Sequence, residues 1–219
     1  MKKLFFVLTF INFFANQVLA LDCENLIIAP TINVMSSFGN LQYNSSRNIN
    51  DITSMAKEYN LVESDLFASG LATATVNFDI SVVAAATPIT IGKFCVIPSK
   101  VDIFLGLSKP VIYLADNLEK DSCRYNIVLR HEQTHQQINK TTLEYYLPIF
   151  SASASKIIQN TSPITIDDTK QLEQATKDLT EKYNQKIMPL VDFIKKEIAG
   201  EQKKLDNPAN YKYENVLCK

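Results

Sequence analysis

Ala72-Thr73-Ala74-Thr75-Val76-Asn77-Phe78-Asp79-Ile80-Ser81-Val82 alternates apolar and polar side chains without a slip. Successive side chains of a strand point to opposite faces, so this run predicts a half-buried β-strand. On its C-terminal side the same period returns in Val101, Ile103, Leu105 and Leu107. After the Lys109-Pro110 break, Val111 to Ala115 reads as a further short strand. Phe94 to Ile97 and Ile32 to Met35 are shorter candidates. Asn50 to Tyr59 reads as an early helix with Asn50 as its N-cap.

From Asp121 the pattern changes. Between Gly106 and Gly200 there is no glycine, which suits long helices. On a wheel of about 100° per residue, Ile127, Val128, His135, Ile138, Tyr145 and Ile149 cluster around His131, which predicts an inward-facing stripe. A last helix should start near Asp167 or Asp168 with the stripe Leu172, Ala175, Leu179, Tyr183, Ile187, Leu190 and Ile194. Pro189 should kink it and Gly200 should stop it. The fold class is therefore α+β, a strand-rich half followed by a helical half.

At the N-terminus, Met1-Lys2-Lys3 precedes the apolar run Leu4 to Phe14, and Val18-Leu19-Ala20 offers a small-residue cleavage site. That is the layout of a signal peptide, so residues 1–20 are expected to be removed and residues 21–219 to form one secreted or periplasmic domain without a membrane span. The four cysteines, Cys23, Cys95, Cys123 and Cys218, all follow that point and their number is even. An oxidising compartment can pair them. Three pairings are possible; we expect Cys95–Cys123, which would clamp a helix to a strand, and Cys23–Cys218, which would tie the termini. The formal net charge of −1 and the lack of a basic run exclude an electrostatic nucleic-acid binder.

His131-Glu132-Gln133-Thr134-His135 is an HExxH pattern, and it holds both histidines of the chain. Residues four apart share a helical face, so two imidazoles can grip one Zn2+. Glu132 is turned about 100° away, where it can reach a metal-bound water as general base. Burying two imidazoles among aliphatic neighbours without partners would cost about 2 kcal/mol or more each, and a metal removes that cost.

On these residues the chain resembles the zincin metallopeptidases, with the similarity firm over residues 122–139 and architectural elsewhere. It is also similar to predicted secreted zinc-dependent proteases. The resemblance implies a twisted sheet packed on the HExxH helix, Zn2+ held by His131 and His135, and Glu132 as catalytic base and proton shuttle. It further implies hydrolysis of a peptide or protein substrate lying along an edge strand, here Val111 to Ala115. The metzincin continuation fails, because Ile138 and Thr141 stand where that pattern has glycine and histidine. A third ligand of gluzincin type, an acid on a following helix, is what remains. Glu144 would point away from His135, and Glu181 lies opposite the apolar stripe. Asp167 and Asp168 read equally as helix caps. Glu173, which borders the stripe, is preferred, with Asp168 next. Tyr145, Tyr146 and Tyr183 could supply a phenol but read as packing residues. The alternative is a non-catalytic exported binding or envelope-assembly protein on the same scaffold.

Overall fold

A computed structural model of the chain describes residues 23, 26, 28–59 and 67–218. The expected signal segment, residues 1–20, lies outside them. In chain order the elements are β1 (Thr31–Met35), β2 (Gln42–Arg47), α1 (Ile49–Glu58), β3 (Gly70–Thr90), β4 (Lys93–Ala115), α2 (Cys123–Gln159), β5 (Ile164–Ile166), α3 (Leu172–Leu205) and α4 (Pro208–Val216). The architecture is α+β, with the strands first and the long helices after them. Helix α1 is capped by Asn48, whose side chain accepts from the Asp51 N–H at 2.9 Å, rather than by Asn50.

The alternating run at 72–82 lies inside β3, which turns through Ile91-Gly92 into β4. Gly92 takes φ +73° there, a conformation glycine adopts without a Cβ penalty. Along one side β4 pairs antiparallel with β3 over nearly its whole length. Along the other it pairs in succession with β5 (antiparallel), β1 (parallel) and β2 (parallel). Val111 to Ala115 is therefore an interior stretch, bonded to β3 on one side and β2 on the other, and not the open edge expected from sequence.

The three apolar runs assigned to separate strands are one 23-residue strand, β4, interrupted by bulges. Val83 pairs with Lys100 and Ala84 with Pro98, leaving Ser99 extra; Thr73 pairs with Val111 and Thr75 with Ser108, leaving Lys109-Pro110 opposite Ala74. Lys109 takes φ +50° at the second site. Each extra residue flips the inside–outside parity. Val96, then Val101, Ile103, Leu105 and Leu107, then Ile112 and Leu114, are thereby all buried, although their spacing does not stay at two.

Helices α2 and α3 cover one face of this hairpin, and they run antiparallel: Tyr146 meets Glu197, and Thr161 meets Lys186. The principal core joins Val101, Ile103 and Leu105 to Leu143, Phe150 and Ala154 of α2 and to Leu179, Tyr183, Ile187 and Val191 of α3. Phe150 also meets Phe78 edge to face at 6.2 Å. Within α3 the expected stripe is buried from Ala175 to Ile194, with Val191 taking the place of Leu190, while Leu172 is half-buried.

In α2 the buried face matches the expected one only at its start. Ile127, Val128, His131, Glu132, Asn139, Leu143, Phe150, Ala154 and Ile158 are buried, while Tyr145 and Ile149 are exposed. The spacing Val128–Asn139–Phe150 and Glu132–Leu143–Ala154 repeats every 11 residues. That centres the inward face on Glu132, about 100° round from His131. The histidines stand at its border, turned towards the end of α3.

Helix α3 also passes the expected stop at Gly200 and continues to Leu205. Glycine costs about 1 kcal/mol in a helix interior. Beyond it, Gln202 donates to the His135 carbonyl at 3.0 Å and to Asn139 Oδ1 at 2.6 Å, and those bonds hold the extra turn on α2.

Both disulfides differ from the expected pairing: they are Cys23–Cys95 and Cys123–Cys218, with Cα separations of 5.4 and 5.6 Å. Cys95 is at the start of β4, whereas Cys123 begins the helix that follows that strand's far end. Twenty strand residues span about 65 Å, far beyond what a disulfide can bridge.

Candidate metal centre

Ser122 starts α2 by accepting from the Tyr125 N–H at 3.1 Å, and two turns later the helix presents His131 and His135. Their Nε2 atoms are 3.1 Å apart. Asp206, immediately after α3, places Oδ1 3.1 Å from each of them. Three donor atoms thus form a triangle with equal sides. Donors bound tetrahedrally at about 2.0–2.1 Å to one zinc ion stand a little over 3 Å from each other, so this set fits a single Zn2+. Among the described residues these three are the group with metal-ligating geometry.

The other nitrogen of each imidazole is also engaged. His131 Nδ1 is 3.1 Å from Glu214 Oε1, and His135 Nδ1 meets Gln202 Oε1 in a short contact. An oxygen at Nδ1 keeps that nitrogen protonated and leaves the Nε2 lone pair facing the triangle, as metal-bound histidines require. Tyr211 donates its hydroxyl to Asp206 Oδ1 at 2.6 Å, and its ring stacks on His131 at 5.3 Å.

Glu132 points inward beside Gly70 and accepts from the Ala72 backbone N–H. A Cβ on residue 70 would stand 2.6 Å from Glu132 Oε1 and 2.7 Å from Val128 Cγ1, so glycine is needed there for the carboxylate to fit.

The charges are strongly coupled. Burial alone would lower the His131 pKa, but the carboxylates of Asp206, Glu132 and Glu214 outweigh it and push it up to about 9. His135 is raised as well: burial lowers it, and Asp206 and Gln202 more than compensate. For Asp206 burial acts upward, yet the two imidazoles and the Tyr211 hydroxyl hold it far below the usual carboxylate range. Glu132 is pushed up to about 7, by burial first, with the histidines pulling the other way. Tyr211 is raised by its partial burial and by Asp206.

These shifts fix the sign of a pH effect. With its pKa raised from 6.5 to about 9, His131 stabilises the metal-free chain fully below pH 6.5 and loses that contribution as pH rises through about 9. A metal needs the neutral imidazole and displaces the proton. Added Zn2+ should therefore raise the thermal midpoint more at pH 8.5 than at pH 6, with proton release measurable by titration calorimetry in buffers of different ionisation enthalpy. Equal increments at both pH values would contradict this coupling.

Glu173, the acid preferred from sequence, is not brought to the histidines. Its carboxylate is 82% exposed and paired with Lys177 at 2.7 Å. It lies at the start of α3 while Asp206 follows its end, about 50 Å away along the helix axis. Asp168 is at the same remote end, capping a 3₁₀ turn by accepting from the Lys170 N–H at 2.9 Å. Tyr145, Tyr146 and Tyr183 are likewise elsewhere: Tyr145 is exposed, Tyr146 bonds Glu197, and Tyr183 is in the core. Asp206, Gln202, Tyr211 and Glu214 all lie past Gly200. The sequence did hold a signal for them in Asp206-Asn207-Pro208, a helix end followed at once by the Asn cap and N1 proline of the next helix.

Fold and site together define an α+β protein in which two histidines of α2 and a carboxylate just past the end of α3 form one cluster. No family model, curated protein or solved structure matches the chain.

Proposed function

We propose that this chain is an exported zinc-dependent peptidase in which His131, His135 and Asp206 hold one Zn2+ and Glu132 is the general base. The observation that carries this reading is the triangle of Nε2, Nε2 and Oδ1, each 3.1 Å from the others, on the helix that also bears the buried Glu132. The zincin resemblance of the HExxH pattern supports it. So do the two disulfides, which suit an oxidising compartment, and among the described residues no helix is long and apolar enough to cross a membrane. Residues 1–20 would be the leader that takes the chain there.

His131, His135 and Asp206 would hold the ion, which when bound would supply Lewis acidity for activating water and polarising a carbonyl. Glu132 takes a proton from the attacking water and returns it to the leaving amine. Glu214 and Gln202 hold the imidazoles in register. An extended peptide would lie along the outer side of β3, which pairs with no other strand among the described residues.

Metal analysis of the purified full chain, with hydrolysis of an unfolded protein substrate before and after chelation, tests the proposal. We expect about one zinc per chain, activity lost to 1,10-phenanthroline, and recovery on adding Zn2+. A chain that neither takes up metal nor cleaves would refute it. A second reading, a non-catalytic exported binding or assembly protein, draws support from the cover over the site, since the side chains of His131 and His135 are only 7% and 12% exposed. Bound zinc without hydrolysis would favour it.

A further inference from the structure

Helix α4 has no buried residue of its own, so apolar burial does not explain why it lies where it does. What it does have is a set of contacts with the metal centre and with the start of α2. Glu214 faces His131 Nδ1 at 3.1 Å, Tyr211 donates to Asp206 Oδ1 at 2.6 Å, and the Tyr211 ring covers His131. At its far end Arg124 donates to Asn215 Oδ1 at 2.6 Å, and Cys218 is joined to Cys123, the first residue of α2. The helix is thus pinned at both ends, by Asp206-Asn207 at one and by a covalent bond at the other, with the histidine contacts between.

We infer that α4 is a strap that completes the metal centre, with Glu214 and Tyr211 as positioning residues and the Cys123–Cys218 bond as the fastener that keeps them in place. The inference rests on the zinc reading above and goes beyond it by assigning work to residues that would not touch the metal. Glu214 fixes the orientation and tautomer of His131. Tyr211 takes up one lone pair of Asp206 Oδ1 and limits how that carboxylate turns. Neither contact lasts if the strap swings away, because no residue of α4 is buried to anchor it in the core.

The two disulfides differ in exposure in the way this role requires. Cys23 and Cys95 are buried, at 3% and 0% exposure, whereas Cys123 and Cys218 both lie at the surface. Thiol–disulfide exchange needs access to sulfur, so a dithiol reductant reaches the fastener before the buried bond. In that step two electrons pass to the Cys123–Cys218 bond, which becomes two thiols while the dithiol closes to its own disulfide. The strap is then held only by non-covalent contacts.

The test uses Zn2+ and the full chain, with affinity measured by chelator competition. The Cys123→Ser/Cys218→Ser double variant should bind zinc about 10–100-fold more weakly, the range for losing groups that orient metal ligands. Glu214→Ala and Tyr211→Phe should fall in that range, and Glu214→Gln, which keeps an oxygen at Nδ1, should recover part of the loss. Brief dithiol treatment of the unaltered chain should reproduce the double variant. Co2+ in place of Zn2+ supplies a readout that loss of fold stability alone would not move: Glu214→Ala should shift the visible ligand-field bands because the His131 ring reorients. Unchanged zinc affinity and an unchanged cobalt spectrum in the double serine variant would overturn the strap while leaving the zinc reading intact. An unaltered chain that takes up no zinc would overturn the metal reading itself, and the strap with it.

Discussion

Asp206→Ala is expected to release the metal as fully as His131→Ala or His135→Ala, while Glu173→Ala leaves the zinc content of the chain unchanged. One oxygen, Asp206 Oδ1, stands 3.1 Å from both Nε2 atoms, so truncating it takes one corner from the triangle and leaves a two-histidine site. We expect zinc affinity to fall by more than about 100-fold, beyond the usual effect of losing a group that merely supports a ligand. Glu173→Ala breaks only an exposed pair with Lys177, which contributes little to stability. Metal stoichiometry after dialysis, with chelator competition for the affinity, decides between the two acids. Full zinc in Asp206→Ala, or lost zinc in Glu173→Ala, would reverse the assignment.

Glu132→Gln is expected to keep about one zinc per chain while peptide hydrolysis falls by at least ~10²-fold, the usual scale for removing a general base. The substitution preserves volume in a confined place, between Gly70 and Val128, and removes no metal donor. Its stability effect also has a definite sign. Glu132 is pushed up from 4.5 to about 7, so the folded state resists its ionisation, and the stabilisation present below pH 4.5 is lost as pH rises through about 7. A glutamine never ionises, so the variant's thermal midpoint should hold up better than the parent's above pH 7. Hydrolysis that survives this change would not come from the Glu132 chemistry proposed here. Gly70→Ala should lower activity in the same direction, because its Cβ would displace the carboxylate.

Much of the strand half was readable because one face of β3 packs on helices and the other does not. Burial then alternates with the side chains, and Ala72 to Val82 records that alternation directly. β4 was read as three pieces for an equally physical reason. Its bulges at Ser99 and at Lys109-Pro110 flip the parity, and a parity jump in sequence is indistinguishable from a strand end. The wheel drawn around His131 held for Ile127, Val128 and His131 and failed at Tyr145 and Ile149, which are exposed. The apolar positions follow an 11-residue repeat centred on Glu132, and the histidines lie at its border because they answer to Asp206 and not to the core.

The i, i+4 spacing of His131 and His135 is a local matter, and so is Glu132 between them, since one helix decides where all three point. The even cysteine count and the apolar leader-like run at 4–14 are local too, and each could be read before any fold was known. The third donor, the supporting partners and the disulfide pairing could not. Asp206 is 71 residues from His135, and it reaches the site because α3 runs back antiparallel along α2, past Gly200, until Gln202 bonds the His135 carbonyl. Cys123 meets Cys218 because α4 then folds back over the start of α2. Which distant segments meet depends on helix lengths, strand bulges and packing acting together, and those are settled only when the whole chain has closed on its core.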